Sequence, residues 1–297
     1  EPGDEREKEE ALRDIWNEIG FSEADKRSEM AFARLENTLG VRPRRRLRIP
    51  AWVRIAAIWL IPLLSLGVSY YLYRDARDVR QLAFMERFVP SGKRERITLP
   101  DGSEVWLNSG TLLLYPSDFI GDKREIYLVG EGYFKVRKRP EQPFIVRTKA
   151  MRVQVLGTEF NLSAYSDQEK ITTTLEEGSL KILPDDPSVA PCILSPNEQL
   201  VYIPSRGKVN VRQVVGSDYS AWKEGGLLFN NDSFEDILKT LERVYNVKVH
   251  LRTSAYHSNR LTIHFNKNES LVNIMMLLKE IVPGLEYQIK EDGVYID

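Results

Sequence analysis

The chemistry that this sequence could perform is concentrated at one peptide bond, between Gly157 and Thr158 in the stretch VLGTEFNLSAY (155–165). The Thr158 hydroxyl lies next to the carbonyl group of the preceding glycine, so it could act as an intramolecular nucleophile. The same two residues could instead form a bend, because glycine adopts backbone angles that other residues avoid. The sequence therefore offers two roles for this pair, a breakable bond or a turn.

Glycine recurs before alternating, strand-like runs in the same part of the chain. It does so, without a threonine after it, at Gly102, Gly132 and Gly178. This repetition favours a turn role for Gly157 and leaves only Thr158 without a structural explanation. We therefore predict that the pair serves the fold, with self-cleavage as the alternative.

The other polar residues do not form a recognisable active site. The sequence contains no P-loop, dinucleotide-binding, zinc-protease or nucleophile-elbow motif. Strand alternation places His250 and His264 on a polar face without neighbouring cysteines, which favours exposed side chains over metal ligands. The acidic pair Glu176-Glu177 falls in a predicted turn and is interpreted as solvated. We predict that the chain is not an enzyme and that it has no cofactor and no metal site.

The composition is that of an ordered protein with an uneven charge distribution. The 297 residues, 42% of them hydrophobic, are enough for more than one folded domain. A net charge of −1 argues against direct binding to nucleic acid. Residues 1–41 carry 12 acidic and 6 basic side chains, whereas residues 42–54 carry basic side chains only. The single cysteine, Cys192, excludes an intrachain disulfide and a cysteine-rich metal site.

An uncharged segment of 19 residues, IAAIWLIPLLSLGVSYYLY (55–73), follows the basic stretch. About 20 apolar residues cross a bilayer, and internal Pro and Gly with aromatic residues near the ends are typical of membrane helices rather than buried core helices. The positive-inside rule places the arginine-rich side in the cytoplasm. We predict a single-pass protein with a cytoplasmic N-terminus. The arginines that determine this topology are Arg42, Arg44, Arg45, Arg46, Arg48 and Arg54.

The acidic N-terminal tail reads as two short amphipathic helices. Leu12, Ile15, Trp16 and Ile19 recur at the spacing of one helix face, and a second helix begins near Ser22. Short helices depend on packing for their stability. The two helices could therefore pack on each other as a hairpin, or bind in the groove of a partner protein with a tryptophan anchor.

Beyond the membrane segment the pattern is β-rich and then mixed. Short alternating runs separated by glycine turns predict an all-β domain of stacked hairpins or of a solenoid-like coil. The last part follows the order β-α-β-β-α-β-β, which predicts a small α+β domain with two helices on one sheet. The chain is thus predicted to be multi-domain. From the N-terminus we expect a helical tail (1–41), a basic flank (42–54), a transmembrane helix (55–73), a linker (74–93), an all-β domain (94–215) and an α+β domain (216–297).

Several blocks of this chain resemble the FecR family of transmembrane anti-sigma factors, in the form common in Bacteroidota. The β-rich blocks are LPDGSEVWLNSGTLLLYP (99–116), VGEGYFKV (129–136), VLGTEFNLSAY (155–165) and TTLEEGSLKI (173–182). The stretch LLFNNDSFEDILKTLERVYNVKV (227–249) resembles the C-terminal domain of the family. That domain is similar to the short N-terminal signalling domain of secretins and TonB-dependent receptors.

The resemblance implies an inner-membrane regulator that relays a signal between two compartments. Its cytoplasmic tail, with Leu12, Ile15, Trp16 and Ile19, would bind an extracytoplasmic-function sigma factor. Its periplasmic part would contact the signalling domain of an outer-membrane TonB-dependent transducer through unspecified residues within 227–297, and so control the transcription of genes for iron or glycan uptake. Regulatory proteases are further implied partners. Some relatives also cleave themselves at a Gly-Thr bond in the matching motif, where the Thr hydroxyl attacks the preceding carbonyl.

A different function remains open from the residues themselves. The β domain could bind glycan or cell-wall polymer in a membrane-tethered periplasmic binding or assembly protein that has no sigma factor partner. Trp106 and Trp222 are interpreted as core or inter-domain anchors rather than as platforms for sugars.

Overall fold

The structure is a computed structural model that describes residues 30, 34, 60, 62–71 and 83–297. Residues 62–71, which lie inside the predicted membrane segment, are helical. Across these described residues, no helix combines the length and the apolar character needed to cross a membrane. All described strands belong to the second of two compact units into which the chain divides, residues 71–297.

The first part of this unit is an all-β domain in which two layers share one strand. Its thirteen strands are β1 (Phe84–Val89), β2 (Glu95–Thr98), β3 (Glu104–Leu107), β4 (Thr111–Pro116), β5 (Arg124–Lys135), β6 (Phe144–Arg147), β7 (Met151–Val155), β8 (Glu159–Ala164), β9 (Ile171–Glu177), β10 (Leu180–Pro184), β11 (Cys192–Leu194), β12 (Glu198–Ile203) and β13 (Lys208–Gln213). Layer A has the order β1-β4-β5-β6-β7-β10-β11, and layer B has the order β2-β3-β5-β8-β9-β12-β13.

The long strand β5 belongs to both layers. Its first half pairs with β4 and β6, and its second half pairs with β3 and β8. The change of layer occurs at Gly130, whose φ is +116°, and a Cβ atom at this position would lie 2.5 Å from the Thr111 hydroxyl oxygen. Only glycine fits such a site, so the second residue of the VGEGYFKV block has a specific role in the architecture.

The two layers enclose a single hydrophobic core. Alternate residues of the central strands, such as β5 and β7, are buried, as expected for strands with one face on a core and one outside. At the centre, the Phe134 ring stacks on Phe160 at 5.0 Å and contacts Phe144 of the opposite layer at 6.5 Å. The hairpins β6–β7, β8–β9, β10–β11 and β12–β13 alternate between the layers. The predicted β-rich, multi-domain architecture is confirmed.

The first strand lies in a segment that the sequence predicts to be a linker. Strand β1 occupies Phe84–Val89 and pairs only with β4, so it is an edge strand of layer A. Five of its six residues are exposed, including both apolar and charged side chains. Because neither face is consistently buried, the strand lacks the alternation by which strands are recognised in a sequence.

The C-terminal domain has the predicted order of elements. These elements are β14 (Leu227–Ser233), α1 (Phe234–Tyr245), β15 (Val249–Leu251), β16 (Arg260–Phe265), α2 (Leu271–Ile281), β17 (Tyr287–Lys290) and β18 (Gly293–Ile296). Ser233 and Ser270 cap the two helices, each accepting a hydrogen bond from a backbone N–H of the first turn.

The prediction that this domain contains a single sheet is wrong. The strands form a two-stranded sheet, β14–β16, and a three-stranded sheet, β15-β18-β17. Strand β15 pairs in parallel with the C-terminal strand β18, although β16 follows it in sequence. Sequence periodicity indicates which face of a strand is buried, but it does not identify the neighbouring strand.

Candidate functional site

The Gly157–Thr158 peptide lies between β7 and β8, under the backbone of a neighbouring loop. Gly157 does not adopt a positive φ, in contrast to Gly178, whose φ is +96°. A Cβ atom on Gly157 would lie 2.6 Å from the Cα atom of Lys138, so close packing, and not a left-handed turn, requires glycine here. The repeated turn role that the sequence predicts for these glycines therefore does not extend to Gly157, nor to Gly132, which is paired inside β5 and has no positive φ.

Hydrogen bonds hold the peptide on both sides. The Leu156 carbonyl accepts from the Arg139 N–H at 2.8 Å, and the Thr158 carbonyl accepts from the Val136 N–H at 3.0 Å. The buried Thr158 hydroxyl donates to the Ser179 carbonyl at 3.0 Å. A carbonyl oxygen is a poor general base, and no group among the described residues donates to the Gly157 carbonyl oxygen. In this conformation the hydroxyl serves as a structural donor.

A buried ion pair fixes the loop that covers Gly157. Arg124 Nη1 lies 2.6 Å from Asp101 Oδ2, and both side chains have no exposed surface. The same Nη1 atom donates to the Arg137 carbonyl at 2.9 Å, and Arg139 donates from its side chain to the Asp101 carbonyl at 3.1 Å. The loop around residue 138 is thus tied to the Asp101-Gly102 turn, and the Gly157 backbone packs beneath it.

Two sets of predicted functional residues lie outside the described residues. They are the predicted sigma factor-binding residues Leu12, Ile15, Trp16 and Ile19, and the predicted topology determinants Arg42, Arg44, Arg45, Arg46, Arg48 and Arg54. The same holds for most of the tail, for the basic flank and for part of the predicted membrane segment.

A 3-10 helix, Gly216–Glu224, connects the two domains and is fastened to layer B. The Trp222 indole N–H donates to Asn161 Oδ1 at 3.0 Å, and the Trp222 carbonyl accepts from Arg94 at 2.6 Å. Lys223 Nζ lies 3.2 Å from the centre of the Tyr133 ring. Only 7% of Trp222 is exposed, so this residue anchors the connection between the domains, as the sequence predicts.

A tyrosine and two carboxylates lie beneath the connecting helix. The Tyr133 hydroxyl lies 2.8 Å from Glu159 Oε2 and 3.0 Å from Glu176 Oε2. Burial raises the pKa of Tyr133, and the two carboxylates raise it further. Burial also lowers the pKa of Lys223. The prediction that Glu176 is a solvated turn residue is wrong, because it lies in β9 and one of its carboxylate oxygens is buried without a hydrogen bond among the described residues.

Beside this helix, a polar cleft of about 540 Å³ opens between layer B and the C-terminal domain. Its floor is the outer face of β8, β9, β12 and β13, and its walls include side chains from β14 and α1. Two ion pairs cross from the β domain to the wall, Lys170 with Asp232 and Asp167 with Arg243. The guanidinium of Arg243 also lies 3.9 Å from the centre of the Tyr165 ring.

Glu131 lies at one end of the row of side chains along the cleft and is half-buried. Its carboxylate accepts from Asn108 Nδ2 at 2.7 Å and from Asn161 Nδ2 at 2.9 Å. Burial raises the pKa of Glu131, whereas the two amides and the charge of Arg243 act in the opposite direction. Such a carboxylate, held by fixed amides, is suited to accepting further hydrogen bonds from a polar ligand.

Comparison with known proteins identifies the family. A family model described as FecR protein matches residues 88–181, and one described as FecR, C-terminal matches residues 226–296. Two crystal structures of a candidate anti-sigma factor from Parabacteroides distasonis ATCC 8503 share 30% and 29% sequence identity with the chain. Each alignment covers 72% of this chain and 98% of the matched chain, with a TM-score of 0.68. The chain belongs to the FecR family.

The resemblance to the FecR family that the sequence motifs indicate is therefore confirmed. The comparison with curated proteins gave no match. One matched FecR region lies within the β domain, ending before β11, and the other covers nearly the whole C-terminal domain; the connecting 3-10 helix lies between them.

Sequence reasoning did not find the buried ion pair or the polar cleft. Alternation within VGEGYFKV does place Glu131, Tyr133 and Lys135 on one face, so part of the floor was readable. The partners of these residues come from Asn108 just after β3, from β8 and β9, and from the connecting helix, where Lys223 lies 90 residues beyond Tyr133 in sequence. No local pattern reports contacts over such distances.

Proposed function

We propose that this FecR-family chain is an anti-sigma regulator that relays a signal across the inner membrane to an extracytoplasmic-function sigma factor. The observation that carries the proposal is the match to both FecR family regions together with the similarity to candidate anti-sigma factor structures over 72% of the chain. The remaining part includes the acidic tail and the apolar segment, which give such a regulator its cytoplasmic contact and its anchor.

The proposed topology places residues 1–54 in the cytoplasm, the segment 55–73 in the membrane and the two β-containing domains in the periplasm. Support comes from the uncharged 19-residue segment and from the arginines that precede it. Single cysteines at Ser22 and at the exposed Ser205, in a Cys192→Ser background, should report opposite sides of the membrane. Labelling of intact spheroplasts with an impermeant maleimide should modify only the cysteine at position 205, and labelling at position 22 would contradict this topology.

In the cytoplasm, the tail would bind the sigma factor through the apolar helix face of Leu12, Ile15, Trp16 and Ile19. The acidic character of residues 1–41 suits a basic surface, such as one that otherwise contacts polymerase or DNA. The test is co-purification of the full chain, solubilised from membranes, with the sigma factor encoded beside it.

A matched pair of variants sharpens this test. Trp16→Ala should weaken capture of the sigma factor at least tenfold, because a buried aromatic anchor carries much of the energy of such an interface. Asn17→Ala, one position away and off the apolar face, should leave capture unchanged. Failure of the unmodified chain to retain any sigma factor would refute the proposed function.

In the periplasm, the C-terminal domain would contact the signalling domain of an outer-membrane TonB-dependent transducer, and the response would control uptake genes for iron or glycan. Two features support this domain as a docking module. Strand β17 is the edge of a three-stranded sheet and has free backbone groups for strand addition. Helix α2 also exposes apolar side chains, Val272 at 55% and Met276 at 51%.

For Gly157 and Thr158 we propose a structural role, supported by the close approach of Lys138 and by the Thr158 hydrogen bond to Ser179. Self-cleavage is the alternative for this peptide bond. Denaturing electrophoresis of the chain from cells should show one full-length species. Two fragments that join near residue 157, and that disappear in Thr158→Ala but persist in Thr158→Ser, would establish cleavage instead.

A further inference from the structure

The floor of the cleft contains a row of side chains with unused hydrogen-bonding capacity. Cross-strand register aligns Glu131, Ser163, Thr172, Val201 and Asn210 on five successive strands of layer B. At about 4.8 Å per strand, this row is about 19 Å long. Among the described residues, the side chains of Ser163, Thr172 and Asn210 make no hydrogen bond, although all three line the cleft.

On the same strands, a neighbouring row of outward-facing side chains is fully hydrogen-bonded, so unused hydrogen-bonding capacity is not general on this face. This second row is displaced by two residues along each strand and is again aligned by register. Its members are Tyr133, Asn161, Thr174, Gln199 and Arg212. Each of these side chains is hydrogen-bonded: Gln199 donates to Thr174 at 2.8 Å, and Arg212 donates to Gln199 at 2.7 Å. This row lies under the connecting helix, where unpaired polar groups would be costly. Both rows contribute to the lining of the cleft, but only the first contains side chains without a hydrogen bond among the described residues.

The charged side chains that line the cleft limit the classes of ligand that the unpaired row could bind. The lining of the cleft contains six acidic side chains, six Lys or Arg side chains and one histidine, His257. Some are already neutralised in ion pairs, such as Lys170 with Asp232 and Arg243 with Asp167. Arg212 is engaged with Gln199 and with Tyr219. The free groups of the row itself are two hydroxyls and an amide. Among the described residues, the unpaired ammonium of Lys208 on the floor is matched by unpaired carboxylates in the lining, such as that of Asp218, so the lining has no excess of charge that would favour an anion or a cation.

The walls provide the second requirement of a sugar site, which is apolar surface beside hydrogen-bonding groups. Val201 and Ile203 contribute aliphatic surface to the floor, and the half-buried ring of Tyr219 lies in the wall. The Tyr219 hydroxyl is fixed by Asn230 at 3.0 Å, so its ring is held in place. Sugar rings present both C–H faces and hydroxyl edges, and hydroxyls, amides and a held carboxylate match those edges.

From these observations we propose that the cleft between layer B and the C-terminal domain is a binding site for a neutral oligosaccharide. The ligand lies along the row from Glu131 to Asn210, with its hydroxyl groups bonded to Ser163 and Thr172. Because the floor belongs to the β domain and the wall to the C-terminal domain, a bound sugar contacts both. Sugar binding therefore stabilises the arrangement in which these two domains close on the ligand.

The test uses the full chain in nanodiscs, since detergents with sugar headgroups would compete for the site. Calorimetry is performed with maltotriose, cellotriose, mannotriose, xylotriose and tri-N-acetylchitotriose as neutral probes. Trigalacturonate and deacetylated chitotriose serve as anionic and cationic counterparts. We expect at least one neutral probe to bind and its charged counterparts to bind at least tenfold more weakly.

Variants connect binding to the floor of the cleft. The double variant Ser163→Ala/Thr172→Val removes two hydroxyls with little change in side-chain size and keeps the β-branched shape at position 172, and it should weaken binding about tenfold. Asn210→Ala should weaken binding less. Gln154→Ala, which removes an amide from the outer face of layer A, should have no effect. Hydrogen exchange of residues 199–212 should slow when the neutral probe is added.

Three outcomes would overturn the proposal. They are absence of binding by every neutral probe at millimolar concentration, unchanged binding by the double variant, and preference for a charged probe. Sigma factor capture is measured on the same preparations, so failure of the sugar site and failure of the regulatory function are separate results.

Discussion

The packing around Gly157 and the outer face of layer B both involve strands β5 and β8, but the two regions differ in their tolerance of change. Around Gly157, backbone packs on backbone, and the buried pair of Arg124 and Asp101 has no exposed surface. On the outer face, the row that begins at Glu131 is open and partly unpaired. The closely packed positions of this FecR-family chain therefore serve its architecture, whereas side chains with free hydrogen-bonding groups lie at the junction of its domains.

The largest effect should come from the buried ion pair. Arg124→Met leaves Asp101 charged and buried without its partner, so the free energy of unfolding should fall by about 3–5 kcal/mol. Arg152→Met is the matched control, because the Arg152–Asp185 pair is roughly half exposed and should contribute less than about 1 kcal/mol. Urea denaturation of both variants measures the difference, and equal losses would contradict the special status of the buried pair.

A methyl group at position 157 tests the close packing directly. In Gly157→Ala the new Cβ atom meets the Lys138 backbone, which cannot move aside as a flexible side chain would. We expect a loss of about 1–3 kcal/mol in the free energy of unfolding. Leu156→Ala, at a neighbouring side chain that is 45% exposed, should cost less. The interpretation fails if the alanine variant unfolds at the same urea concentration as the parent chain.

The connection between the domains should be sensitive to one hydrogen bond. Trp222→Phe keeps an aromatic ring but removes the indole N–H, which leaves the buried Asn161 Oδ1 without its donor. The expected cost is about 1.5 kcal/mol. Trp106→Phe is the control, because the Trp106 N–H makes no hydrogen bond among the described residues. Faster hydrogen exchange in residues 216–224 should appear only in the Trp222 variant.

The smallest expected effect is a dependence on pH. Burial raises the pKa of Glu131 above its ordinary 4.5, so its neutral form is favoured in the folded state. The stabilisation from this group is complete below the ordinary value and is lost as the pH rises through the raised pKa. Between these two values the urea midpoint should fall with rising pH. Glu131→Gln should remove this part of the slope, and identical slopes in both proteins would assign the dependence to another group.

Much of the fold could be predicted from the sequence, and the reason differs between elements. Helix α1 has a capping serine and a regular apolar face, so its existence follows from local rules. Strand β1 lacks a buried face, and its recognition requires knowledge of β4. The close approach at Gly157 and the row from Glu131 to Asn210 depend on strand register, which arises only when distant segments pair.

The interleaving of the strands determines what a single break in the chain would do. Strands β1–β7 precede Gly157 and β8–β13 follow Thr158, yet β5 pairs with β8 over six residue pairs and β7 pairs with β10 over five. Both strand pairs contribute buried side chains to the common hydrophobic core. Cleavage between residues 157 and 158 would therefore leave two polypeptides that stay associated non-covalently in one folded domain. Such a break would free two chain ends without releasing either half of the molecule. A force applied to one half would therefore still be transmitted to the other through the paired strands.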